Sequence, residues 1–291
     1  MSNKQVVWSK RVVKGCFAGF LVGIFLGCTP RIDEDAQIMT VATNYYQIST
    51  EPETTQETEV DFSDYDETTE PVEEKHDPVV FCGLSDPDFA ITLSDEEALS
   101  FLTLVNRCYR VASSFSPADL VVVDVPGVNF PPNGVHELRK EVADALEAMF
   151  AATVENGLNL LLSSAYRSYD QQVFFHNLAI NRAGGNVEEA RRWSAIPGHS
   201  EHQLGLGVDL TTPELEGLGW LHNSFSHTPE GIWVRENAHY FGFIISFPYG
   251  REKDVAIAYE PWHIRYVGID VATEMFNNNQ ILEEFLWYNS Q

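Results

Sequence analysis

The sequence is poor in basic residues: 18 lysines and arginines stand against 43 aspartates and glutamates, which gives a formal net charge of -25. Such a chain would repel a phosphate backbone, so the composition argues against a nucleic-acid partner. Many of the acidic residues lie between positions 31 and 77, in a stretch without sustained apolar periodicity. Because this composition buries too little surface to offset chain entropy, we expect residues 29–79 to form an acidic, disordered tether.

The sequence also lacks an uninterrupted apolar run of about 20 residues, the length that a membrane-spanning helix needs. A run of about 13 uncharged, mostly apolar residues follows a positively charged leader and ends just before Cys28. This pattern is similar to a bacterial lipoprotein signal, in which the cysteine carries lipid. We expect residues 1–28 to be a signal peptide or membrane anchor: lipidated on Cys28, retained as an uncleaved N-terminal helix, or removed by ordinary secretion. Each alternative places the rest of the chain outside the cytoplasm.

Cysteine is scarce, with four in the chain and only Cys82 and Cys108 beyond the leader. In an oxidising compartment these two could form one disulfide, or both could stay buried thiols, and the sequence leaves both alternatives open. Internal repeats are also missing. We therefore expect residues 80–291 to fold as one domain, and we expect a monomer.

Caps, breakers and apolar spacing predict the secondary structure of this domain. The predicted helices cover residues 94–107, 135–154, 168–184 and 228–242, with others starting at 186 and after 270. The predicted strands are short and most of them come late in the chain, at 120–125, 158–164, 206–211, 243–247 and 263–267. Because helices and strands do not alternate regularly, the pattern favours an α+β fold over a doubly wound sheet.

Two segments concentrate side chains that bind metals, and they read SEHQLGLGVD at 200–209 and EPWH at 260–263. They offer three possible metal ligands, the imidazoles of His202 and His263 and the carboxylate of Asp209. A further carboxylate, that of Glu260, is available for a role other than metal binding. Three protein ligands, an open position for water and a nearby base are the components of a catalytic zinc site.

The local sequence allows these side chains to meet. Gly205 and Gly207 let the backbone turn, so that His202 and Asp209 could face one point. Residues 260–263 must form a tight turn or bulge, because an ordinary strand sends residues three apart to opposite faces. Histidines and aspartates spread along a chain are also common as satisfied structural groups, so the spacing alone leaves the metal site open.

The two segments resemble the S-x-H-x-x-G-x-A-x-D and E-x-W-H signatures of the D-alanyl-D-alanine carboxypeptidase family. This family includes VanY-type enzymes and the related LD-carboxypeptidases of peptidoglycan maturation. The resemblance extends over about residues 156–268 and includes the segments 164–168, 197–202 and 240–243. One departure is that Gly207 stands where the family usually has alanine.

The resemblance implies a small antiparallel sheet flanked by helices, with the zinc site on the sheet. It implies that His202, Asp209 and His263 bind zinc and that Glu260 is the general base. It further implies that Arg167 stabilises the tetrahedral intermediate or grips the substrate. Substrate contacts are expected at two more side chains, those of Gln172 and Ser200.

The implied function is that of a zinc-dependent carboxypeptidase, of D,D- or L,D-type, which removes the C-terminal D-alanine from peptidoglycan stem peptides. One alternative is an endopeptidase of the same family acting on the same polymer. Another is a non-catalytic wall-binding module that keeps zinc for structure. Glu260 argues against the last alternative, because a pure binding module has no use for a base.

Overall fold

The computed structural model describes residues 89–128, 135–216 and 221–290. The leader predicted at 1–28 and the tether predicted at 29–79 lie outside these residues and stay predictions. Within the described part of the chain, no helix combines the length and the apolar character needed to cross a membrane. Cys108 is disulfide-bonded, which favours the oxidised alternative for this residue, whereas Cys82 lies outside the described residues.

Two short ladders precede the main sheet along the chain. Strand β1 (Ile91–Thr92) pairs in parallel with β2 (Tyr109–Arg110). Strand β3 (Leu120–Val122) pairs antiparallel with β4 (Glu137–Arg139).

The main sheet has four antiparallel strands: β5 (Leu161–Ser164), β6 (Gly207–Thr211), β7 (Phe243–Ile245) and β8 (His263–Tyr266). Their spatial order is β5-β6-β8-β7, so β6 and β8 are the central pair. This arrangement confirms the predicted α+β fold with a small antiparallel sheet.

Helices surround this sheet, and their bounds in chain order are α1 Asp95–Ala98, α2 Lys140–Glu155, α3 Tyr169–Arg182, α4 Val187–Trp193, α5 Pro213–Glu216, α6 Pro229–Asn237, α7 Glu252–Val255, α8 Ile269–Asn277 and α9 Leu282–Asn289. Short 3-10 turns occur at Glu201–Leu204, Asn223–His227 and Ala238–Phe241.

The hydrophobic core lies mainly between α2 and the main sheet. Buried residues of α2 join buried residues of the strands in one cluster, which includes Val142, Leu146, Met149, Leu162, Val208, Leu210 and Ile264. A second, smaller cluster joins β7 to the C-terminal helices through Ile244, Met275, Leu282 and Phe285. The larger cluster contains buried residues of both central strands, so side chains on β6 and β8 have fixed positions.

Several predicted helix starts are confirmed by their caps. The side chain of Ser168 accepts a hydrogen bond from the backbone N–H of Gln171, and the Gln171 side-chain oxygen accepts one from the backbone N–H of Ser168, as in a capping box. Asn186 caps α4, and Thr228 caps α6 with proline at its first turn. The chain leaves the helical region around α6 at Gly242, which adopts a left-handed φ of 86°.

Two predicted helices were too long. The helix predicted at 94–107 ends at Ala98, because the carbonyls of Phe101 and Thr103 accept hydrogen bonds from the side chain of Arg265 instead of continuing a helix. The helix predicted from 135 begins at Lys140, because Glu137–Arg139 pairs with the preceding strand. Leu138 fits either a helical or an alternating pattern, and tertiary pairing decides between them.

Candidate metal centre and active site

The first half of the site is built by the turn that leads into β6. Gly205 takes a left-handed φ of 67°, which places the 3-10 turn carrying His202 against the start of the strand carrying Asp209. His202 and Asp209 are both 3% exposed. The Nδ1–H of His202 donates to the carbonyl of Ala165 at 2.6 Å, because a carbonyl can only accept. This bond leaves Nε2 as the free ring nitrogen, 3.2 Å from Oδ2 of Asp209.

The second half is built by β8 and the turn before it. The backbone N–H of His263 donates to the carbonyl of Glu260 at 3.2 Å, so residues 260–263 form the predicted turn. Strand β8 pairs with β6 so that His263 lies opposite Asp209. Nδ1 of His263 is 2.8 Å from Oδ1 of Asp209, and its Nε2 is 2.8 Å from Oε2 of Glu201.

These three side chains have the arrangement that a metal ion needs. One ligand atom from each of His202, Asp209 and His263 lies within 4.8 Å of the other two, and all three residues are buried. Two imidazole nitrogens and one carboxylate oxygen form a donor set that suits a catalytic zinc ion with an open position. The remaining ring nitrogens are already bonded to a carbonyl and a carboxylate, as is usual for histidine ligands. The residues present therefore fit zinc.

The electrostatics of the site favour a cation between its carboxylates. Burial alone would lower the pKa of His263, but its bonds to Asp209 and Glu201 outweigh burial and raise the pKa to about 10. Burial opposes ionisation of Asp209, yet the neighbouring His202 and His263 hold its pKa well below the usual range. Burial, followed by the nearby Arg167 charge, lowers the pKa of His202. The centre thus holds one positive charge strongly, either a proton on His263 or a metal ion in its place.

Glu260 differs from the other carboxylates of the site. Burial raises its pKa to about 8, with a further rise from the negative charge of Asp209 that exceeds what Arg167 removes. His263 acts in the opposite direction, and a bound divalent cation would do the same. A carboxyl group whose pKa lies near neutral pH is suited to take and return a proton.

The remaining predicted site residues line the same cavity, which has a volume of about 840 Å³. Arg167 follows β5, and its guanidinium lies 4.0 Å from Oδ2 of Asp209 and over the ring of Phe175. Gln172 is buried in α3 and donates to the carbonyl of Ala195 at 2.7 Å. Ser200 is buried immediately before the 3-10 turn. The structure therefore brings all seven predicted site residues to one cavity.

Sequence reasoning missed three polar side chains behind the centre. Glu201, Ser246 and Arg265 form a buried cluster connected to His263. Glu201 occupies a variable position in the S-x-H signature, and Arg265 follows His263 by two residues in β8. No sequence signal marks a buried arginine, because its burial depends on acceptors supplied from distant segments.

Comparisons with known proteins agree with this geometry. A family model described as D-alanyl-D-alanine carboxypeptidase, VanY, matches residues 135–269. YodJ, a Bacillus subtilis (strain 168) protein with a provisional carboxypeptidase name, is 40% identical over 187 residues, which are 64% of this chain and 67% of YodJ.

Two solved structures are also similar. The structure of the LdcB LD-carboxypeptidase matches with a TM-score of 0.60 and 36% identity, over 68% of this chain and 89% of that chain. The D,D-pentapeptidase VanY from a VanB-type resistance cassette, solved in complex with Zn(II), matches with a TM-score of 0.51 and 29% identity. That match covers 64% of this chain and 98% of the solved chain.

Proposed function

Because this chain belongs to the VanY family of D-alanyl-D-alanine carboxypeptidases, we propose that it is a zinc-dependent carboxypeptidase acting on peptidoglycan stem peptides. The reaction is removal of the C-terminal D-alanine, from either a D,D- or an L,D-linked end. The observation that carries the proposal is the convergence of His202, Asp209 and His263 beside Glu260 in one open cavity. A binding module would need the ligands but not the base.

The proposed metal ligands are Nε2 of His202, a carboxylate oxygen of Asp209 and Nδ1 of His263, because the other ring nitrogens are engaged. When bound, zinc supplies an acidified water and polarises the carbonyl of the bond to be cleaved. The Asp209 carboxylate adds negative charge to this centre, which a third histidine would not. The nearby Arg167 guanidinium balances part of that charge.

Glu260 acts as the general base and then as the general acid. Its carboxylate takes a proton from the attacking water while the oxygen of that water bonds to the carbonyl carbon before the terminal residue. The carbon–nitrogen bond then breaks, and Glu260 returns the proton to the leaving amine. Burial raises the pKa of this carboxyl group to about 8 without a metal, and a bound divalent cation would lower it, so that the group can be ionised at neutral pH and still return a proton.

Arg167, Gln172 and Ser200 bind and orient the substrate in this proposal. Arg167 presents a partly buried guanidinium beside the reacting centre, where it stabilises the negative charge that develops on the carbonyl oxygen. Gln172 has its side-chain NH2 fixed by the Ala195 carbonyl, so its carboxamide has one defined orientation. Fixed donors and acceptors of this kind hold a peptide end in the geometry for attack.

The test is an assay of the purified protein with pentapeptide and tetrapeptide stems, with and without a chelator, and with products identified by mass. We expect loss of one terminal D-alanine, inhibition by the chelator and recovery with zinc. Glu260→Gln is the matched control, since it keeps the size of the side chain and the metal ligands. Cleavage inside the peptide stem or bridge would instead identify the endopeptidase alternative, and no cleavage of any stem would refute the proposal.

We also propose that the protein acts outside the cytoplasm as a monomer, held at the membrane through residues 1–28. The positively charged leader, the short apolar run and Cys28 support this placement. The acidic stretch at 29–79 would then act as a spacer that lets the domain reach the wall. The test compares wild type with Cys28→Ser by fractionation and fatty-acid labelling. A labelled, membrane-bound wild type supports the lipid anchor, an unlabelled but retained one indicates an uncleaved helix, and wild type free in the medium contradicts anchoring.

A further inference from the structure

Glu201 occupies an unusual position beside the proposed metal centre. Its side chain is buried, and its two oxygens accept hydrogen bonds from three side chains. Oε2 lies 2.8 Å from Nε2 of His263 and 2.7 Å from the hydroxyl of Ser246. Oε1 accepts from Arg265 at 2.8 Å. The carboxylate is thus fixed on the side of His263 that faces away from Asp209.

Arg265 connects Glu201 to a distant part of the chain. Its side chain is fully buried at 0% exposure. Besides the bond to Glu201, it donates to the backbone carbonyls of Phe101 (3.2 Å) and Thr103. Both carbonyls belong to a loop that precedes the region matched by the family model, residues 135–269. The contacts therefore form a continuous chain from this loop, through Arg265 and Glu201, to His263.

A buried ion pair of this kind is not explained by stability alone. Removing two charges from water costs free energy, and an apolar pair of similar volume often stabilises a fold equally well or better. A charged pair, unlike an apolar pair, can fix the orientation of a neighbouring side chain through directional hydrogen bonds. Oε2 of Glu201 accepts the hydrogen on Nε2 of His263, so Nδ1, which faces Asp209, is the ring nitrogen that remains for a metal ion.

We propose that Glu201 and Arg265 form a positioning pair that fixes the orientation and tautomer of His263 and ties the metal centre to the loop at 101–103. The inference rests on the zinc centre of the proposed function but concerns metal binding and not the substrate. Among the hydrogen bonds of the described residues, Glu201 bonds to one of the three proposed metal ligands, His263. It acts through His263, in contrast to His202, whose second nitrogen is bonded to the neutral carbonyl of Ala165. A carboxylate partner also makes an imidazole a stronger ligand than a carbonyl partner does.

The experiment measures zinc affinity of the full-length protein by competition with a chromophoric chelator. Glu201→Gln keeps the shape of the side chain but removes its charge, and we expect the dissociation constant for zinc to rise by about 10- to 100-fold. The cobalt-substituted variant should also show an altered visible spectrum, because the ligand field changes when His263 is no longer held. Neither readout depends on peptide cleavage.

The matched control is Glu284→Gln. Glu284 is 5% exposed, close to the 7% of Glu201, and it forms an ion pair with Arg251 at 2.6 Å. It belongs to α9 and has no bond to the metal centre among the contacts of the described residues. We expect this variant to lose thermal stability and to keep its zinc affinity within about twofold.

Equal loss of affinity in both variants, or an unchanged affinity in Glu201→Gln, would overturn the inference. If Glu201→Gln does not fold, Ser246→Ala decides, because it removes only one donor to the same Oε2 atom. We expect a few-fold weaker zinc binding in that variant, and an unchanged constant would also count against the pair. If the wild type binds zinc, the variants change its affinity as expected, and no stem peptide is cleaved, the result would contradict the proposed function but leave this inference standing.

Discussion

The two segments that form the metal centre, the β6 segment (residues 201–209) and the β8 segment (residues 260–263), each contribute an imidazole but differ in what supports it. In the β6 segment, His202 is held by the backbone carbonyl of Ala165, and the segment also supplies Asp209. In the β8 segment, His263 is held by the carboxylate of Glu201, which comes from the β6 segment, and the β8 segment also supplies Glu260. In the proposed mechanism the β6 segment therefore serves metal binding alone, and the β8 segment combines metal binding with proton transfer.

This difference has a physical basis in the surrounding structure. The β6 segment folds back on itself through Gly205, so its two ligands meet through local geometry. The β8 segment depends on partners far along the chain: Glu201 and, through Arg265, the loop at 101–103. The comparison indicates that a short motif can encode ligands, whereas the environment that tunes a ligand comes from tertiary structure.

The largest effect should separate the two segments directly. Glu260→Gln in the β8 segment should lower kcat by about 10²- to 10⁴-fold, because it removes the proton acceptor, while one zinc per chain is retained. His202→Ala in the β6 segment should lose both zinc and turnover. Metal analysis and steady-state kinetics on the same preparations check this. A Glu260→Gln variant that turns over normally would show that the base has been assigned to the wrong residue.

The next effect concerns Arg167, which reaches toward Asp209 of the β6 segment. Arg167→Lys keeps the charge but loses the planar fork that can stabilise an oxyanion and stack on Phe175. We expect kcat to fall by about 10²-fold with unchanged zinc content. If instead only KM rises, Arg167 grips the substrate and does not stabilise the developing charge.

A third prediction sharpens the comparison through pH, using chelator-treated protein. Because burial raises the pKa of Glu260 to about 8, the folded protein holds a proton that the unfolded chain releases near pH 4. The stabilising contribution is therefore present below about pH 4 and is lost as pH rises toward 8. The free energy of unfolding of wild type, minus that of Glu260→Gln, should fall between pH 5 and 8. Chemical denaturation at several pH values measures it, and a constant difference would contradict the raised pKa.

The smallest effect is expected where the two segments touch. A Cβ on Gly207 would lie 3.1 Å from the backbone nitrogen of His202 and 3.1 Å from Cε1 of His263. Gly207→Ala, which introduces the residue usual in the family, should lower the free energy of unfolding by about 1 kcal/mol through this crowding, and zinc should remain bound. Thermal unfolding with metal analysis is sufficient. An equal or higher Tm would mean that the two segments can separate by a few tenths of an ångström without cost.

The sequence predicted many caps, because these depend on neighbouring residues, whereas the grouping of His202, Asp209 and His263 was predicted through the family resemblance. Ser168 and Thr228 begin their helices by bonds to residues three positions away. Gly205 forms the predicted turn because glycine adopts the required left-handed conformation without a steric penalty. The tight turn at Glu260 was predicted from the requirement that Glu260 and His263 share one side.

The sequence could not predict features that are decided by distant contacts. The helix expected at 94–107 gives way to a loop whose carbonyls bind Arg265. The start of the helix expected at 135 became a strand, because a partner strand at Leu120–Val122 was available. Glu201 lies next to His202 in sequence but serves His263, and only the fold reveals that connection.

The register of the main sheet has a consequence for the order of folding. Ser164, Asp209 and His263 lie opposite one another on three adjacent strands, although long stretches of chain separate them in sequence. Closing such loops is slow and precedes any gain from the contacts, so the metal centre should be completed late. Interactions absent from the folding transition state slow unfolding more than they speed folding. Zinc should therefore slow unfolding more than it speeds folding. Stopped-flow measurements with and without the metal should show a larger change in the unfolding rate than in the folding rate.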